Sequence, residues 1–554
     1  MSFKINPLTA VDSYKLSHRL AYPEGIEYVY SNFTPRSTKH LNVPFEFKNN
    51  EIVWAGAQAV INDLIELWNE EFFSLDSRYF MNKKEIDAHF KEPAIAAFLK
   101  RVAPFVGGEG YATQHLEDLF DLGYLPLEIK TLPEGSRVPV GVPVLTIQNT
   151  DHRFFWLTNY IETYLSAELW KISTSATIAD VYRQIGLKWY EETGADIEFL
   201  DFAFHDFSYR GLSGSIDAAK SGIGHLLSFK GTDTIPAVDY AAYHYDGDNT
   251  FVGASVPAME HSVQTAYENN DYNYIKRIIT EIYPKGIVSV VVDGYDYWAV
   301  LTETIPQLRE EIVHREGKVV LRPDSGDPVH IIAGYTYLAN TNRFDNPGYE
   351  VYKNQLDDKF YFADNFEFNE YGDVFVKEGS EPVPEHVVKG SIQVLWDIFG
   401  GTINSKGFQK LSDKIGLIYG DSITPQRSYD ILKRLAWKNF SSDNIVFGVG
   451  SYTYQYNTRD TLGFAMKATN IVVNGKDIPL WKDPKTDDGT KKSAKGYLKV
   501  IKEKGTFKLI DNVSFDEEQE GELTTLVRDG EFYKRQSLEN VRAILKVASC
   551  ASTM

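Results

Sequence analysis

Short apolar runs that end abruptly in Gly, Asp or Ser constrain the fold of this chain more than any other feature of its sequence. They are Ile287–Val292 before DG, Val319–Leu321 before RPDSG, Ile415–Tyr419 before GDS, and Ile445–Phe447 before GVGS. Helix-compatible stretches separate several of them. Continuous apolar strands that alternate with helices indicate parallel strands covered on both faces, in an α/β barrel or a doubly wound sheet. We favour the barrel, whose polar strand ends open together on the C-terminal face, where barrel enzymes keep their active sites.

The regions before and after this pattern mix helices with short strands. Residues Leu125–Ile147 form short alternating runs cut by Pro- and Gly-containing turns, which predicts antiparallel strands. One helix is expected near Phe154–Trp170, and another from Ser175 to a C-terminal cap at Gly194. Towards the end of the sequence, short strands return, followed by a lysine-rich loop and a last helix near Leu538–Ala548.

One segment, from about Gly334 to Val388, lacks the strand–helix pattern. It is rich in Asp, Glu, Asn, Tyr and Phe, and it contains NEYGD at 369–373, which is typical of a hairpin turn. The segment is either an inserted acidic excursion or an ordinary strand-rich lobe.

Charge, cysteine content and missing motifs exclude several classes of function. The chain has 57 Lys and Arg against 77 Asp and Glu, and the net charge of −20 argues against an extended nucleic-acid or anionic-membrane surface. The single cysteine, Cys550, excludes a disulfide framework, a thiolate zinc site and an iron–sulfur cluster within one chain. GxxxxGK[ST] and GxGxxG do not occur, which argues against a P-loop NTPase or a Rossmann dehydrogenase. Without a signal peptide or an 18-residue apolar run, we expect a cytoplasmic globular protein.

Three features could carry chemistry, and each has an ordinary structural alternative. The strand-end acids Asp293, Asp324 and Asp421 suit Mg²⁺ or sugar hydroxyls, although Asp-Gly and Asp-Ser pairs are also common turn residues. GVGS after a strand would let backbone N–H groups approach a phosphate, or it is an ordinary turn. His261 follows a glutamate that could raise its basicity, but a lone histidine is more often packed or capping, and the same holds for His205.

Taken together, the motifs identify a family resemblance. The chain resembles the nicotinamide phosphoribosyltransferases, the type II phosphoribosyltransferase family of NAD salvage, over nearly its whole length outside the acidic segment. The matching strings are DSYKLSH, LPLEIKTLPEG, WLTNYIET, HDFSYRG, FKGTDT, SVPAMEHS, DGYD, RPDSG, GDS, FGVGS and TRD, in the order of the family. The resemblance implies an α/β fold with a barrel-like (β/α) phosphoribosyltransferase domain at 171–459, interrupted by an acidic insertion at about 334–388. Beside it, residues 1–170 and 460–554 would form a mixed α+β domain, and two chains would form a head-to-tail homodimer with shared active sites.

The resemblance also implies a reaction and a set of site residues. Nicotinamide and phosphoribosyl pyrophosphate would give nicotinamide mononucleotide and pyrophosphate, with Mg²⁺ as cofactor and ATP as co-substrate. By matching position, the nicotinamide contacts would be Phe207, Arg210, Asp233 and, from the second subunit, Tyr14. The ribose and phosphate contacts would be Arg322, Asp324, Gly420, Asp421, Gly450, Ser451 and Arg459, and the pyrophosphate or nucleotide contacts Lys467 and Lys491. Asp293 and Asp324 would lie near Mg²⁺, and His261, beside Glu260 and partnered by Asp293, would be phosphorylated by ATP.

Two departures from the family and three alternatives accompany this prediction. The glycine cluster reads GVGSYT, with Ser451 and Tyr452 where the family has further glycines, and the acidic insertion follows the RPDSG strand. A nicotinate phosphoribosyltransferase is the nearest enzymatic alternative, and Asp233 argues against it because a carboxylate repels nicotinate but accepts from an amide. A catalytically silent nucleotide-binding homologue is the second. The third, compatible with activity, is that the acidic insertion binds a protein partner.

Overall fold

The computed structural model describes residues 4–78, 81–106, 111–338, 348–369, 374–420, 422–482 and 493–551. Its architecture is α/β, with a curled parallel sheet surrounded by helices and a second, antiparallel sheet that draws strands from both ends of the chain. This confirms the predicted fold class. Within the described ranges, no helix is both long and apolar enough to cross a membrane.

The parallel sheet, called the barrel sheet below, contains the strands predicted from the apolar runs. Its six strands lie side by side in the order Gly231–Thr232, Phe204–Asp206, Ile445–Val449, Ile415–Tyr419, Glu316–Arg322 and Lys285–Val291, and every pair is parallel. An extended segment joins the two outer strands, because Ala254 bridges to Gly231 and Ala258 bridges to Ser289. The sheet therefore closes on itself through residues 254–258, which contain no apolar run and were not predicted as a strand.

Apolar strand residues fill the interior of this sheet, as expected for strands covered on both faces. The fully buried ones include Val288, Val290, Val319, Leu321, Ile415, Leu417, Ile445 and Phe447. Helices between and after the strands cover the outside. They are Ser215–Leu226, Ile235–Tyr245, His261–Thr265, Asp271–Arg277, Tyr297–Ala299, Ile305–Gln307, Arg309–His314, Pro328–Ala333, Ser391–Phe399, Pro425–Trp437 and Ser451–Gln455.

The antiparallel sheet, called the terminal sheet below, combines strands that lie far apart in sequence. Its order is Lys476–Pro479, Ala465–Val473, Ile26–Thr34, Leu145–Asn149, Leu127–Thr131, Thr524–Arg528 and Glu531–Phe532. Short pairs flank it: Glu51–Val53 with Arg137–Pro139, and Tyr497–Glu503 with Thr506–Val513. The associated helices are Lys15–Ala21, Ala57–Trp68, Lys83–Ile86, Glu92–Val102, Gln114–Leu122, Leu157–Tyr160, Phe515–Gln519 and Leu538–Ala551.

A single long helix, Glu162–Thr193, runs where two helices were predicted. The predicted break was wrong because the Ser-Thr-Ser run at 173–175 stays helical. Its hydroxyls find partners, as Thr174 donates to the Trp170 carbonyl and Ser173 to the Ala55 carbonyl. The predicted cap is confirmed, since Gly194 adopts a left-handed conformation with φ 67°.

The acidic segment forms a small strand-rich lobe beside the barrel sheet. Its strands are Tyr337–Leu338, Val351–Lys353, Phe360–Phe362, Phe366–Phe368 and Val374–Val376, and helix Glu385–Lys389 follows. The last two strands form an antiparallel hairpin, and residues 370–373 of NEYGD lie outside the described residues. The segment leaves and re-enters the barrel at adjacent points, because Tyr335 N–H donates to the Val388 carbonyl at 3.0 Å.

Candidate functional site

Side chains from three strand ends meet at the C-terminal mouth of the barrel sheet. His261 follows the bridging segment 254–258, and its Nε2 lies 3.2 Å from Asp293 Oδ1 and 3.6 Å from Asp324 Oδ1. Asp293 is buried, and its second oxygen accepts the backbone N–H of Asp324 at 2.9 Å. Together the three residues offer ligand atoms within 4.8 Å of one another, a geometry that suits a metal ion. Glu260, beside His261, is exposed and accepts a hydrogen bond from Ser262.

The two carboxyl groups of this cluster have opposite electrostatic environments. Burial alone would raise the pKa of Asp293, but hydrogen bonds from Ser325, from the Asp324 backbone and from His261 outweigh it and hold that pKa below its usual value. Burial and repulsion by Asp293 raise the pKa of Asp324 to about 6. The pair therefore holds one firmly ionised carboxylate and one whose ionisation a nearby cation would favour.

Arg322 connects this acidic cluster to the rest of the mouth. Its Nη2 donates to the Met259 carbonyl at 2.7 Å, while its buried Nε has no hydrogen-bond partner among the described residues. Gly420 lies against it, since a Cβ at this position would be 3.2 Å from both Arg322 Cδ and Asp324 Cβ. A buried guanidinium N–H without a partner indicates a place for a hydrogen-bond acceptor from a ligand.

A second cluster surrounds Asp233, on the opposite side of the bridging segment. Asp233 Oδ1 accepts hydrogen bonds from His205 Nε2, at 2.9 Å, and from the Ser255 hydroxyl. Burial would raise the pKa of Asp233, but the His205 hydrogen bond, the Ser255 hydrogen bond and the charge of Arg322 together lower it. The Phe207 ring lies beside that of His205, with centroids 4.6 Å apart. An ionised carboxylate next to an aromatic face suits a planar ring that carries a hydrogen-bond donor.

The glycine cluster at the end of strand Ile445–Val449 packs closely against its neighbours. A Cβ at Gly448 would be 2.6 Å from the Tyr419 carbonyl oxygen and 2.8 Å from Phe207, so a larger residue would displace that ring. Gly450 precedes the short helix Ser451–Gln455. A Cβ at Gly211 would be 2.1 Å from Ser451 Oγ, so the turn that carries the exposed Arg210 touches the start of this helix.

A cationic cluster lies on the terminal sheet. Lys467 reaches solvent from strand Ala465–Val473, and partial burial together with the nearby cations Arg36, Lys482 and Lys15 lowers its pKa. The carboxylate of Glu162, which pairs with Lys15, opposes this shift. Closely spaced cations suit an anionic ligand such as a phosphate, because the ligand relieves their mutual repulsion.

Tyr14 lies in the N-terminal region, where its contacts are with Asp12 and His18. Burial and the carboxylates of Asp12 and Glu162 raise the pKa of Tyr14, and the guanidinium of Arg459 partly offsets them. Tyr14 is 56% exposed and accessible to another molecule. Among the described residues, the Tyr14 ring lies beside His18 and the Phe207 ring beside His205, with no ring contact between Tyr14 and Phe207.

The structure also adds residues that the sequence did not single out. Ser255 donates to Asp233 and the Met259 carbonyl accepts from Arg322, and both residues belong to the SVPAMEHS string, in which only Glu260 and His261 were predicted as site residues. Arg36 and Lys482 were not predicted either. For His205, a packed or capping role was expected over a functional one, and its aspartate partner lies 28 residues away in sequence. Asp421 and Lys491, two of the predicted contacts, lie outside the described residues.

Comparisons with known proteins identify the family to which the chain belongs. The model of the nicotinate phosphoribosyltransferase (NAPRTase) family matches residues 202–519, more than half of the chain. The nicotinamide phosphoribosyltransferase of Acinetobacter baylyi is 46% identical over 550 residues, covering 98% of this chain and 97% of that protein. The one from Xanthomonas campestris pv. campestris is 30% identical and covers 98% of both. Among solved structures, nicotinate-nucleotide pyrophosphorylase from Pyrococcus furiosus has a TM-score of 0.52 at 13% identity, covering 100% of this chain and 98% of that one, which shows a shared fold.

Proposed function

The chain belongs to the nicotinate phosphoribosyltransferase family, and from this premise we propose that it transfers a phosphoribosyl group to nicotinamide. The products would be nicotinamide mononucleotide and pyrophosphate, formed from nicotinamide and phosphoribosyl pyrophosphate as in NAD salvage. Relatives that carry this name match almost the whole chain at 30–46% identity. Nicotinate is the alternative acceptor, because the family model is named for it.

The observation that carries the choice of nicotinamide is the Asp233 carboxylate. Its lowered pKa keeps it ionised at neutral pH, and both of its hydrogen-bond donors, His205 and Ser255, use Oδ1. No donor among the described residues reaches Oδ2, which is therefore available to a carboxamide NH₂. The carboxylate of nicotinate would instead meet a like charge, at a cost of about 1–4 kcal/mol for charges about 4 Å apart in a partly solvated site.

The remaining roles follow the course of the transfer. The pyridine nitrogen attacks the anomeric carbon of the ribose, the bond from that carbon to the pyrophosphate oxygen breaks, and pyrophosphate leaves with both bonding electrons. Positive charge develops on the sugar, so fixing the reactants matters more than a protein nucleophile. We assign Phe207 to one face of the pyridine ring. Arg210 and Arg322 would lie around the ring and ribose, and Asp324 and Gly420 at the ribose hydroxyls.

The anionic ends of the substrate would be bound at the edge of the barrel mouth and by the adjacent terminal sheet. We assign the phosphate to Gly450, Ser451 and Arg459, and the pyrophosphate to Lys467 within its cluster of cations. The family positions of Asp421 and Lys491 would add a ribose contact and a pyrophosphate contact. We also propose a homodimer in which Tyr14 of the partner subunit covers the second face of the pyridine ring, because Tyr14 is more than half exposed in the single chain.

Asp293 and Asp324 are the residues that fit Mg²⁺. Carboxylate oxygens are the hard ligands that this ion prefers, and the raised pKa of Asp324 indicates repulsion that a cation would relieve. When bound, Mg²⁺ supplies charge neutralisation for the pyrophosphate. Apart from that, Asp293 orients His261, and the backbone N–H of Asp324 fixes Asp293.

We further propose that ATP phosphorylates His261. Its Nε2 faces Asp293, which favours the tautomer with the proton on Nε2 and leaves the lone pair of Nδ1 for the γ-phosphorus. The N–P bond would form as the bond from the γ-phosphorus to the bridging oxygen breaks, and ADP would leave. The ionised Asp293 would stabilise the cationic character of the phosphorylated ring.

A turnover assay tests the proposed function. Purified protein is incubated with nicotinamide, phosphoribosyl pyrophosphate and Mg²⁺, and nicotinamide mononucleotide and pyrophosphate are quantified together. We expect both products in equal amounts. A protein that is stabilised against heat by nicotinamide mononucleotide but forms no product would be a silent homologue, and the proposed function would be wrong.

A further inference from the structure

Beneath the barrel mouth, an ion pair between a buried lysine and a partly buried aspartate joins the two segments that carry Arg210 and Ser451. Lys171, in the long helix Glu162–Thr193, donates through Nζ to the Tyr454 carbonyl at 2.8 Å and lies 3.1 Å from Asp217 Oδ1. The Lys171 side chain is only 8% exposed. A lysine this buried is retained only with close partners, because an unpaired buried charge is costly.

The other oxygen of Asp217 extends the connection. Asp217 Oδ2 accepts the backbone N–H of Ser213 at 2.9 Å, two residues after the turn that ends at Gly211. The Ser213 hydroxyl in turn accepts Gln455 Nε2 at 2.9 Å. A closed ring of contacts thus runs from Lys171 through Tyr454, Gln455, Ser213 and Asp217 back to Lys171.

Two further buried groups hold the same short helix from below. The Tyr182 hydroxyl lies 3.0 Å from Thr453 Oγ1, and His225 Nδ1 lies 2.7 Å from the Tyr454 hydroxyl. The helix Ser451–Gln455 is therefore attached to the long helix and to Ser215–Leu226 at several points. Lys171 and Asp217 are the charged members of this set.

The Arg210 turn and the Ser451 helix, which lie above the ion pair, are packed too closely to move towards each other without a clash. Because a Cβ at Gly211 would be 2.1 Å from Ser451 Oγ, the Arg210 turn and the Ser451 helix are in direct contact. A shift of about 1 Å in either segment changes the distance between groups that hold one substrate, and such shifts are known to cost large factors in rate.

We propose that Lys171 and Asp217 are positioning residues that set the distance between Arg210 and Ser451, and with it the affinity for the phosphorylated sugar. This inference rests on the proposed function, because it takes the substrate from there. Neither residue touches the substrate. They act through Tyr454 and Ser213, whose backbone groups they hold.

The chain contains a matched control on the same two helices. Lys220 in Ser215–Leu226 pairs with Glu168 in Glu162–Thr193, and the Lys220 side chain is 6% exposed. This pair ties the helices together without contacting Ser213 or Tyr454. Substituting Lys220 by Met therefore removes a buried lysine between the same helices while leaving the ring of contacts intact.

The experiment compares Lys171→Met, Asp217→Asn, their combination and Lys220→Met in the full chain. We measure kcat, the KM for phosphoribosyl pyrophosphate and the thermal midpoint, and we follow hydrogen exchange of residues 450–456 without ligand. We expect Lys171→Met to raise that KM by about tenfold or more and to speed exchange in this segment. Lys220→Met should change the KM by less than about twofold, even if it lowers the midpoint equally. The double variant should be less than additive, since both changes break one ring.

Several results would overturn the inference. If Lys171→Met and Lys220→Met change the KM equally, the Lys171–Asp217 ion pair has a purely structural role. The same conclusion follows if Lys171→Met changes neither the KM nor the hydrogen exchange of residues 450–456. If Lys171→Met does not fold, Asp217→Asn supplies the same comparison. If the wild-type chain shows no transfer, the proposed function fails, and the exchange measurement still decides whether Lys171 orders residues 450–456.

Discussion

Replacing Asp233 by Asn isolates the charge that we hold responsible for choosing nicotinamide. In Asn, the amide oxygen replaces Oδ1 and still accepts hydrogen bonds from His205 and Ser255. The amide NH₂ group replaces Oδ2, the oxygen that we place next to the ligand. The substitution conserves the shape of the site. It replaces the hydrogen-bond acceptor for the carboxamide of nicotinamide by a donor, and it removes the negative charge that repels nicotinate.

The expected change in kcat/KM for Asp233→Asn follows from the hydrogen bond that the carboxamide would lose. A hydrogen bond to a charged group contributes about 1.5–3 kcal/mol, which corresponds to about 10- to 100-fold in kcat/KM. The Asp233 side chain is 40% exposed, so we expect the lower half of this range for nicotinamide. For nicotinate, kcat/KM should stay unchanged or rise, because the substitution removes about 1 kcal/mol or more of repulsion between the two carboxylates.

The assay measures kcat/KM for each acceptor separately at saturating phosphoribosyl pyrophosphate, in wild type, Asp233→Asn and Ser255→Ala. Ser255→Ala is the control, because it removes one donor to Oδ1 and keeps the charge. It should lower nicotinamide activity without improving nicotinate. Equal losses for both acceptors in Asp233→Asn would refute the specificity argument.

Three further predictions test other parts of the site and fold. Because the pKa of Asp324 is raised to about 6, its ionisation destabilises the fold as pH rises from about 4 through 6. In urea denaturation in metal-free buffer, Asp324→Asn should therefore be more stable than wild type at pH 8 by about 1–3 kcal/mol, and this difference should decrease towards pH 4. Equal stability of the two proteins at pH 8 would contradict the prediction. Labelled ATP should leave an acid-labile, base-stable phosphate on wild type but not on His261→Ala, and an unlabelled wild type whose turnover depends on ATP would exclude the phosphohistidine. Joining Gly334 directly to Val388 should change kcat/KM by less than about twofold and leave the number of subunits unchanged, because the ends of the acidic segment are adjacent and short closures cost little entropy. A large loss of activity would instead give that lobe a catalytic role.

Four of the six strands of the barrel sheet were predictable because their signal is local, whereas the short strands Phe204–Asp206 and Gly231–Thr232 were not predicted. Runs such as Ile415–Tyr419, which matches the observed strand at both ends, are continuous and apolar since both faces are buried. The bridging segment 254–258 was not predicted, because it makes only isolated bridges, and most of it is exposed in this chain. The helix break near Ser175 was predicted wrongly, since tertiary partners such as the Ala55 carbonyl satisfy hydroxyls that would otherwise disfavour a helix.

The site was predictable only in part, because some of its contacts depend on tertiary structure rather than on local sequence. Asp293 and Asp324 follow strand ends, so parallel topology alone brings them to one face. The pairing of His205, Asp233 and Ser255 could not be read from the sequence, because it depends on how the closing segment lies beside Gly231. The motif resemblance supplied Asp233, while its two hydrogen-bond donors required the three-dimensional structure.

A competition experiment tests the central claim most directly. The protein is given equimolar nicotinamide and nicotinate with phosphoribosyl pyrophosphate and Mg²⁺, with and without ATP, and both mononucleotides are quantified by mass spectrometry. We predict that nicotinamide mononucleotide dominates in both conditions and that ATP increases its yield. Predominant nicotinate mononucleotide would contradict the assignment of Asp233 and make the chain a nicotinate phosphoribosyltransferase with the same fold and transfer chemistry.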